Sequence, residues 1–176
     1  TALRFIIIIM IEILILSLIQ GFTEFLPVSS SSHLILVSKY LSFNNQNLSI
    51  DVSLHIGSFL AVITYFRKDI FNFFKNKELF LKIFISSIPV MLVGYILLKL
   101  NLIDTLRNVK VIGWMTIIFG VLLYVSDKSE SKKKLNNSFT FKSAIFIGVF
   151  QIFSLLPGAS RSGAAITAAR FLNYNR

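Results

Sequence analysis

The sequence predicts an all-α polytopic membrane protein, arranged as an inverted-topology repeat with two broken, re-entrant helix–loop–helix motifs. Three observations carry that reading. Hydrophobic residues make up 55% of the 176 and charged residues 15%, with a mean hydropathy of +0.74, a balance suited to lipid rather than water. The apolar residues fall in runs near the ~20 that a spanning helix needs. Finally, two of the three prolines interrupt apolar runs and are embedded in polar stretches, 20–33 and 151–163. Ionisable groups at membrane depth are costly and mark function by default.

Taken in order, Met10 to Leu26 is apolar and ends against Pro27, and His33 to Leu41 is about half a span. Val52 to Phe66 is a shorter span with a start near Leu48. Leu79 to Leu98 is interrupted by Lys82 and Pro89, and Val109 to Val125 spans with modest tilt. Phe141 to Leu156 runs into Pro157, and an apolar run resumes at Ala164. Each of the two breaking prolines removes a backbone donor, and the serines after it can cap a new helix. Broken backbone at depth is tolerated where it is buried or lines a cavity.

Charge sets the expected orientation. The loop 67–78 carries Arg67, Lys68, Lys75 and Lys77; the loop 126–142 carries Lys128, Lys132, Lys133, Lys134 and Lys142. Two spans separate them, so both lie on one side, which the positive-inside rule makes cytoplasmic. Lys39 to Asp51 then lies outside, as does Lys99 to Lys110 despite its Lys99, Arg107 and Lys110. The net charge of +10 is therefore a topology signal, and no nucleic-acid partner is expected. With no cysteine, disulfides and thiolate metal sites are excluded. Residues 1–176 read as one incomplete transmembrane domain, with a first repeat over roughly 10–125 and the start of a second over roughly 141–176. No cleavable signal peptide is expected; Met10 is the expected start, and truncation is expected after Arg176.

Aligning Pro27 with Pro157 sets Ser30 on Ser160, Ser31 on Arg161 and Ser32 on Ser162, with Gln20 and Gln151 upstream. The two stretches then read as two halves of one anion-handling site. Arg161 offers a permanent, planar charge for phosphate oxygens. Ser160, Ser162 and the backbone after Gly158 add donors at a helix start, and Gly158 and Gly163 permit close approach. Glu24, one turn beyond Gln20, suits a general base or a ligand to a hard divalent cation. Ser29, Ser30, Ser31 and Ser32 include a candidate nucleophile, with His33 as its base or as acid to a leaving phosphate. His55, near Ser53 and Ser58, reads as structural, and Glu12 receives no role. The chemistry is phosphoryl transfer or hydrolysis at a membrane interface.

Gln-Gly-Phe-Thr-Glu-Phe-Leu-Pro-Val-Ser-Ser-Ser-Ser-His-Leu (20–34) resembles the first signature of the bacterial undecaprenyl-diphosphatases, the bacitracin-resistance family. Leu-Pro-Gly-Ala-Ser-Arg-Ser-Gly (156–163) resembles the second, and Tyr65 to Asp69 is similar to the stretch after an early helix. The resemblance implies hydrolysis of undecaprenyl diphosphate to undecaprenyl phosphate and phosphate on the outer, periplasmic face of the bacterial inner membrane. That would recycle the lipid carrier of peptidoglycan synthesis and blunt bacitracin. It implies Glu24, Ser30, His33 and Arg161 as catalytic residues. Gln20, Ser29, Ser31, Gly158, Ser160 and Ser162 would bind substrate, and a divalent cation (Mg or Ca) on Glu24 would assist. The partners are then a polyprenyl diphosphate lipid and the membrane, with a homodimer left open. Ser32 departs from the family's usual Gly, and relatives continue for roughly another third of their length. Two alternatives stand beside this: a lipid transporter or flippase with the same broken helices, and the other class of membrane lipid phosphatases, which needs a second His after its Ser-Arg pair.

Overall fold

The structure, a computed structural model, describes residues 2–43, 47–128 and 139–175, and all regular elements among them are helical. They pack as two compact units, Thr1–Arg67 and Lys68–Arg176. Four helices are long and apolar enough to cross a membrane: Leu3–Thr23, Leu48–Tyr65, Lys77–Lys99 and Val109–Asp127. Their outward faces carry bare apolar side chains, among them Phe22, Met91 and Trp114. Water would oppose such a surface and lipid accepts it, so this is an all-α, multi-pass membrane fold.

The first unit holds α1 (Ala2–Thr23), α2 (Ser30–Tyr40) and α3 (Leu48–Tyr65). The buried side chains of α1 recur every fourth residue, at Glu12, Leu16 and Gln20. That spacing is one stripe of a helix, and it is the face turned to α2 and α3. From α2, Leu34 and Ile35 close the apolar part of the contact. The Asn47 side chain caps α3 by accepting from the Ile50 amide at 3.0 Å, satisfying an amide the helix start leaves orphaned.

The second unit holds α4 (Arg67–Lys75, entered from the first unit), α5 (Lys77–Lys99), α6 (Ile103–Leu106), α7 (Val109–Asp127), α8 (Phe141–Gln151) and α9 (Arg161–Phe171). A 3₁₀ turn, Ile152–Leu155, extends α8 toward Pro157. Asn76, Asn108, Thr140 and Ser160 cap α5, α7, α8 and α9 through their side chains. Two stretches expected as loops contain helix. Residues 67–75 form α4, because Ile70, Phe71, Phe73 and Phe74 recur at helical spacing between Asp69 in the first turn and Lys75 in the last. The 99–110 connection includes the short α6. Of the basic loop 126–142, Lys132, Lys133 and Lys134 lie outside the described residues. Pro89 sits inside α5 without ending it.

Small residues bring α5 and α8 together. A Cβ added at Gly148 would sit 2.2 Å from the Ser86 carbonyl oxygen, so this crossing is at backbone distance. Phe119, Ala159 and Ala164, with Met115, Leu122 and Phe150, form the adjoining core.

The α8–α9 pair is re-entrant. The Tyr174 hydroxyl, after α9, lies 3.0 Å from Ser143 Oγ in the first turn of α8. Arg170, in the last turn of α9, donates to the Asp127 carbonyl at 2.8 Å and meets its carboxylate at 3.3 Å, at the end of α7. Lys82, near the start of α5, donates to the Phe139 carbonyl just before α8 and pairs with Glu78. The chain therefore enters at the end where α7 finishes, breaks at Pro157 and returns to that end. The 11 residues of α9 rise ~16 Å, about half the ~30 Å hydrocarbon thickness.

Candidate functional site

The first break follows α1. Its last buried residue, Gln20, lies one turn before Glu24, and α2 restarts at Ser30 after the turn over Pro27. The geometry centres on one oxygen. Glu24 Oε2 accepts from Ser30 Oγ at 2.6 Å and from Gln20 Nε2 at 2.9 Å. Gln20 Nε2 also lies 3.4 Å from Ser58 Oγ, and His55 Nε2 is 3.5 Å from Glu24 Oε2. Gln20 and Ser30 are buried, while the Glu24 carboxylate is one-third exposed. A 2.6 Å O–H···O contact is the length of a charge-assisted bond. The arrangement thus poises a serine hydroxyl against a carboxylate.

The rest of the first motif surrounds this centre. Ser29 is the N-cap residue of α2, and its Oγ accepts from Ser32 Oγ at 2.9 Å. Ser31 is half-buried and His33 exposed. The His33 ring does not meet Ser30: its Nδ1 is 2.8 Å from the Ser29 carbonyl. A carbonyl only accepts, so Nδ1 carries the proton and Nε2 is the ring atom left to meet a ligand. The partner of Ser30 is Glu24, six residues back, because the turn at Pro27 folds the two helix ends together.

His55, which the sequence suggests is structural, and its neighbour Ser58 both reach the Gln20–Glu24 pair. His55 Nδ1 is held by the Asp51 carbonyl at 2.8 Å, which aims Nε2 at Glu24. The signal available in the sequence was the spacing. Asp51, His55 and Ser58 fall at i, i+4 and i+7, a polar stripe on an otherwise apolar span.

The second break places Ser160 as the N-cap of α9, where its Oγ accepts from the Gly163 amide at 3.2 Å and meets Ser162 Oγ at 3.1 Å. Arg161 and Ser162 are exposed, and among the described residues Arg161 has no ion-pair partner. Gly158 has φ +105°, and a Cβ there would lie 2.6 Å from the Ile112 carbonyl oxygen and 2.9 Å from Met115 Cβ. The turn is pressed onto α7 where only glycine fits. Arg161 is thus presented in the first turn of a helix whose free amides favour an anion.

The two breaks are alike in local form, in a register one residue off the proline alignment. α2 and α9 both run for 11 residues and both follow a serine at the N-cap position, Ser29 and Ser160. They also end alike. Leu41, Ser42 and Phe43 donate to the carbonyls of Val37, Lys39 and Ser38; Leu172, Asn173 and Tyr174 donate to those of Ala168, Arg170 and Ala169. Ser42 and Asn173 share positive φ, 55° and 64°, the left-handed closure of a helix C-terminus. The helices therefore equate Ser29 with Ser160 and Ser30 with Arg161, not Ser30 with Ser160. The additional residue between Pro157 and its cap is accommodated by the turn at Gly158.

A hard divalent cation takes oxygen ligands. Gln20 Oε1 is buried without a hydrogen-bond partner among the described residues, and it adjoins the Glu24 carboxylate. No cluster of three or more His, Cys, Asp or Glu exists among the described residues. The protein oxygens thus suit a cation that takes most of its ligands from outside the protein.

The matched range of a known family takes in both breaks. The sequence model of the bacitracin resistance protein BacA family matches residues 13–176. The undecaprenyl-diphosphatase of Pelagibacter ubique (strain HTCC1062) is 47% identical over 167 residues, covering 94% of this chain and 65% of the relative. Those of Jannaschia sp. (strain CCS1) and Hahella chejuensis (strain KCTC 2396) are 39% and 42% identical, over 92% and 94% of this chain and 66% of each relative. The chain spans just under two thirds of the length of these curated relatives. With the family model matched from α1 to the end of the second break, the chain belongs to the bacitracin resistance protein BacA family.

Proposed function

We propose that this chain carries the reacting groups of an undecaprenyl-diphosphate phosphatase, which hydrolyses undecaprenyl diphosphate to undecaprenyl phosphate and phosphate. Recycling that carrier serves peptidoglycan synthesis and opposes bacitracin. The observation that carries the reading is the 2.6 Å hydrogen bond from Ser30 Oγ to Glu24 Oε2. The relatives named as undecaprenyl-diphosphatases support the substrate.

Ser30 Oγ attacks the terminal phosphorus while its proton passes to Glu24. The bond to the bridging oxygen breaks, and undecaprenyl phosphate leaves. Water then attacks the phosphoserine, gives its proton through Glu24 to Ser30 Oγ and releases phosphate. Gln20 holds the carboxylate in place. His33, its Nδ1–H held by the Ser29 carbonyl, donates to the leaving phosphate from Nε2 in its imidazolium form and regains that proton from water after release. Arg161, with Ser160 and Ser162 beside it, clamps phosphate oxygens by its planar fork. Glu24 and Gln20 Oε1 would hold a Mg or Ca ion, which would neutralise diphosphate charge when bound. The reacting groups act from the outer leaflet of a bacterial inner membrane, on the side opposite the basic ends of the spans.

The test is phosphate release from undecaprenyl diphosphate by the purified protein in detergent, with Glu24→Ala and Arg161→Ala beside it. Release abolished by either substitution supports the assignment. Release that neither substitution alters overturns it. Movement of the intact diphosphate across vesicles without release would favour a transporter.

A further inference from the structure

We infer that α4 is an interfacial anchor that binds anionic phospholipid headgroups at the basic face of the membrane. This stands apart from the proposed hydrolysis. With 9 residues, α4 is ~14 Å long, too short to span, and it lies between two helices that do span. Its apolar residues, Ile70, Phe71, Phe73 and Phe74, occupy one arc. Lys68, Asp69, Asn72 and Lys75 occupy the opposite arc. Phe71 and Phe74 are 71% and 58% exposed, more than packing against protein would leave. Phe73 and Phe74 also contact Phe80, with ring centroids 5.7 and 5.4 Å apart, and Phe80 stacks on Phe84 in α5. The aromatic face of α4 is therefore continuous with the lipid-facing wall of a span. A helix with such an arc lies in the headgroup region with its apolar face down.

Charge selects the lipid. Lys68, Lys75 and Lys77 are exposed at this end, with Asp69 as the one acid in α4; Glu78 is engaged by Lys82. More cations occupy the same end of the unit. Lys82 ties the start of α5 to Phe139, Ser143 ties the start of α8 to Tyr174, and Arg170 ties the end of α9 to Asp127. Lys128 and Lys142, exposed beside those contacts, thus share the face where α5 begins. A basic rim on one leaflet with aromatic side chains beneath it fits phosphatidylglycerol-like lipids. Each basic residue strengthens attachment to such a leaflet about fivefold.

The experiment uses tryptophan quenching in vesicles of mixed phosphatidylglycerol and phosphatidylcholine, with bromine near the top of the chains of one lipid at a time. Trp114 is the chain's single tryptophan; it is exposed on α7 in the turns furthest from that face and serves as the control in the unaltered protein. The reporter is F71W in a W114F background, with F74W as a second reporter should the first fail to fold. Brominated phosphatidylglycerol should quench the α4 reporter at least about twofold more than brominated phosphatidylcholine at equal fraction. Trp114 should show no such preference. Replacing Lys68, Lys75 and Lys77 together by Gln should abolish the preference while quenching persists. Equal quenching by the two lipids, absence of quenching, or a preference that survives loss of the lysines would overturn the inference.

Discussion

If Ser30 and Glu24 act as one catalytic unit, their substitutions will not combine independently. Glu24→Gln keeps the shape and the acceptor oxygen but removes the base, so turnover should fall about 10²- to 10⁴-fold. Ser30→Ala removes the hydroxyl whose 2.6 Å bond defines the pair. A hydrogen bond to a charged group is worth about 1.5–3 kcal/mol, which is about 10- to 150-fold in rate at 1.36 kcal/mol per decade. The double variant should therefore be faster, by about that factor, than the product of the two single effects predicts. The assay is steady-state phosphate release by wild type, both single variants and the double variant, under saturating lipid substrate. Rates that multiply independently would refute the unit. Full activity in Ser30→Ala would refute the serine as nucleophile and leave a water to attack.

Other expectations follow from the same geometry. Gly158→Ala forces a Cβ to 2.6 Å from the Ile112 carbonyl at φ +105°. Strain and overlap together should destabilise the protein by about 2 to 6 kcal/mol, read as a lower unfolding midpoint in detergent; an unchanged midpoint would show that the turn relaxes away from α7. Arg161→Lys keeps the charge and loses the fork, so the KM for the diphosphate should rise about tenfold or more with weaker competitive inhibition by phosphate, and an unaltered KM would remove the clamp. His55→Ala takes away the ring beside Glu24 and should lower turnover about fivefold with little change in KM. Equal turnover would make that contact one of packing alone.

Much of the fold is legible in residue order because lipid imposes a simple rule. Every backbone group at depth must be satisfied by the chain itself, so apolar runs such as 79–98 and 109–125 become helices whatever they pack against. The breaks are equally legible, since Pro27 and Pro157 follow the ends of their helices and a serine takes the N-cap position of the next. Helix α4 was harder to read. Its three cations look like a loop until the 70, 71, 73, 74 spacing is given weight. The candidate site was legible in its types and less so in its partners. Glu24, Ser30 and Arg161 stand out as polar residues in apolar sequence. His55 does not, because its role depends on α3 lying beside α1. His33 stands out by adjacency, but the helix turns its ring back to the Ser29 carbonyl.

The sequence by itself determined that the chain lies in a membrane, where its helices break, and which polar residue types the two breaks carry. Each follows from local rules: apolar length, missing proline donors and residue type. Tertiary structure alone decided that the serine answers to Glu24 rather than to His33, that His55 joins the carboxylate, and that the two breaks are offset by one residue at Gly158. It also decided that the α8–α9 hairpin is closed by Arg170 and Tyr174. Those are contacts between residues from 6 to 43 positions apart. A hydrogen bond forms only within about 3 Å, and packing between helices, not order along the chain, sets that distance.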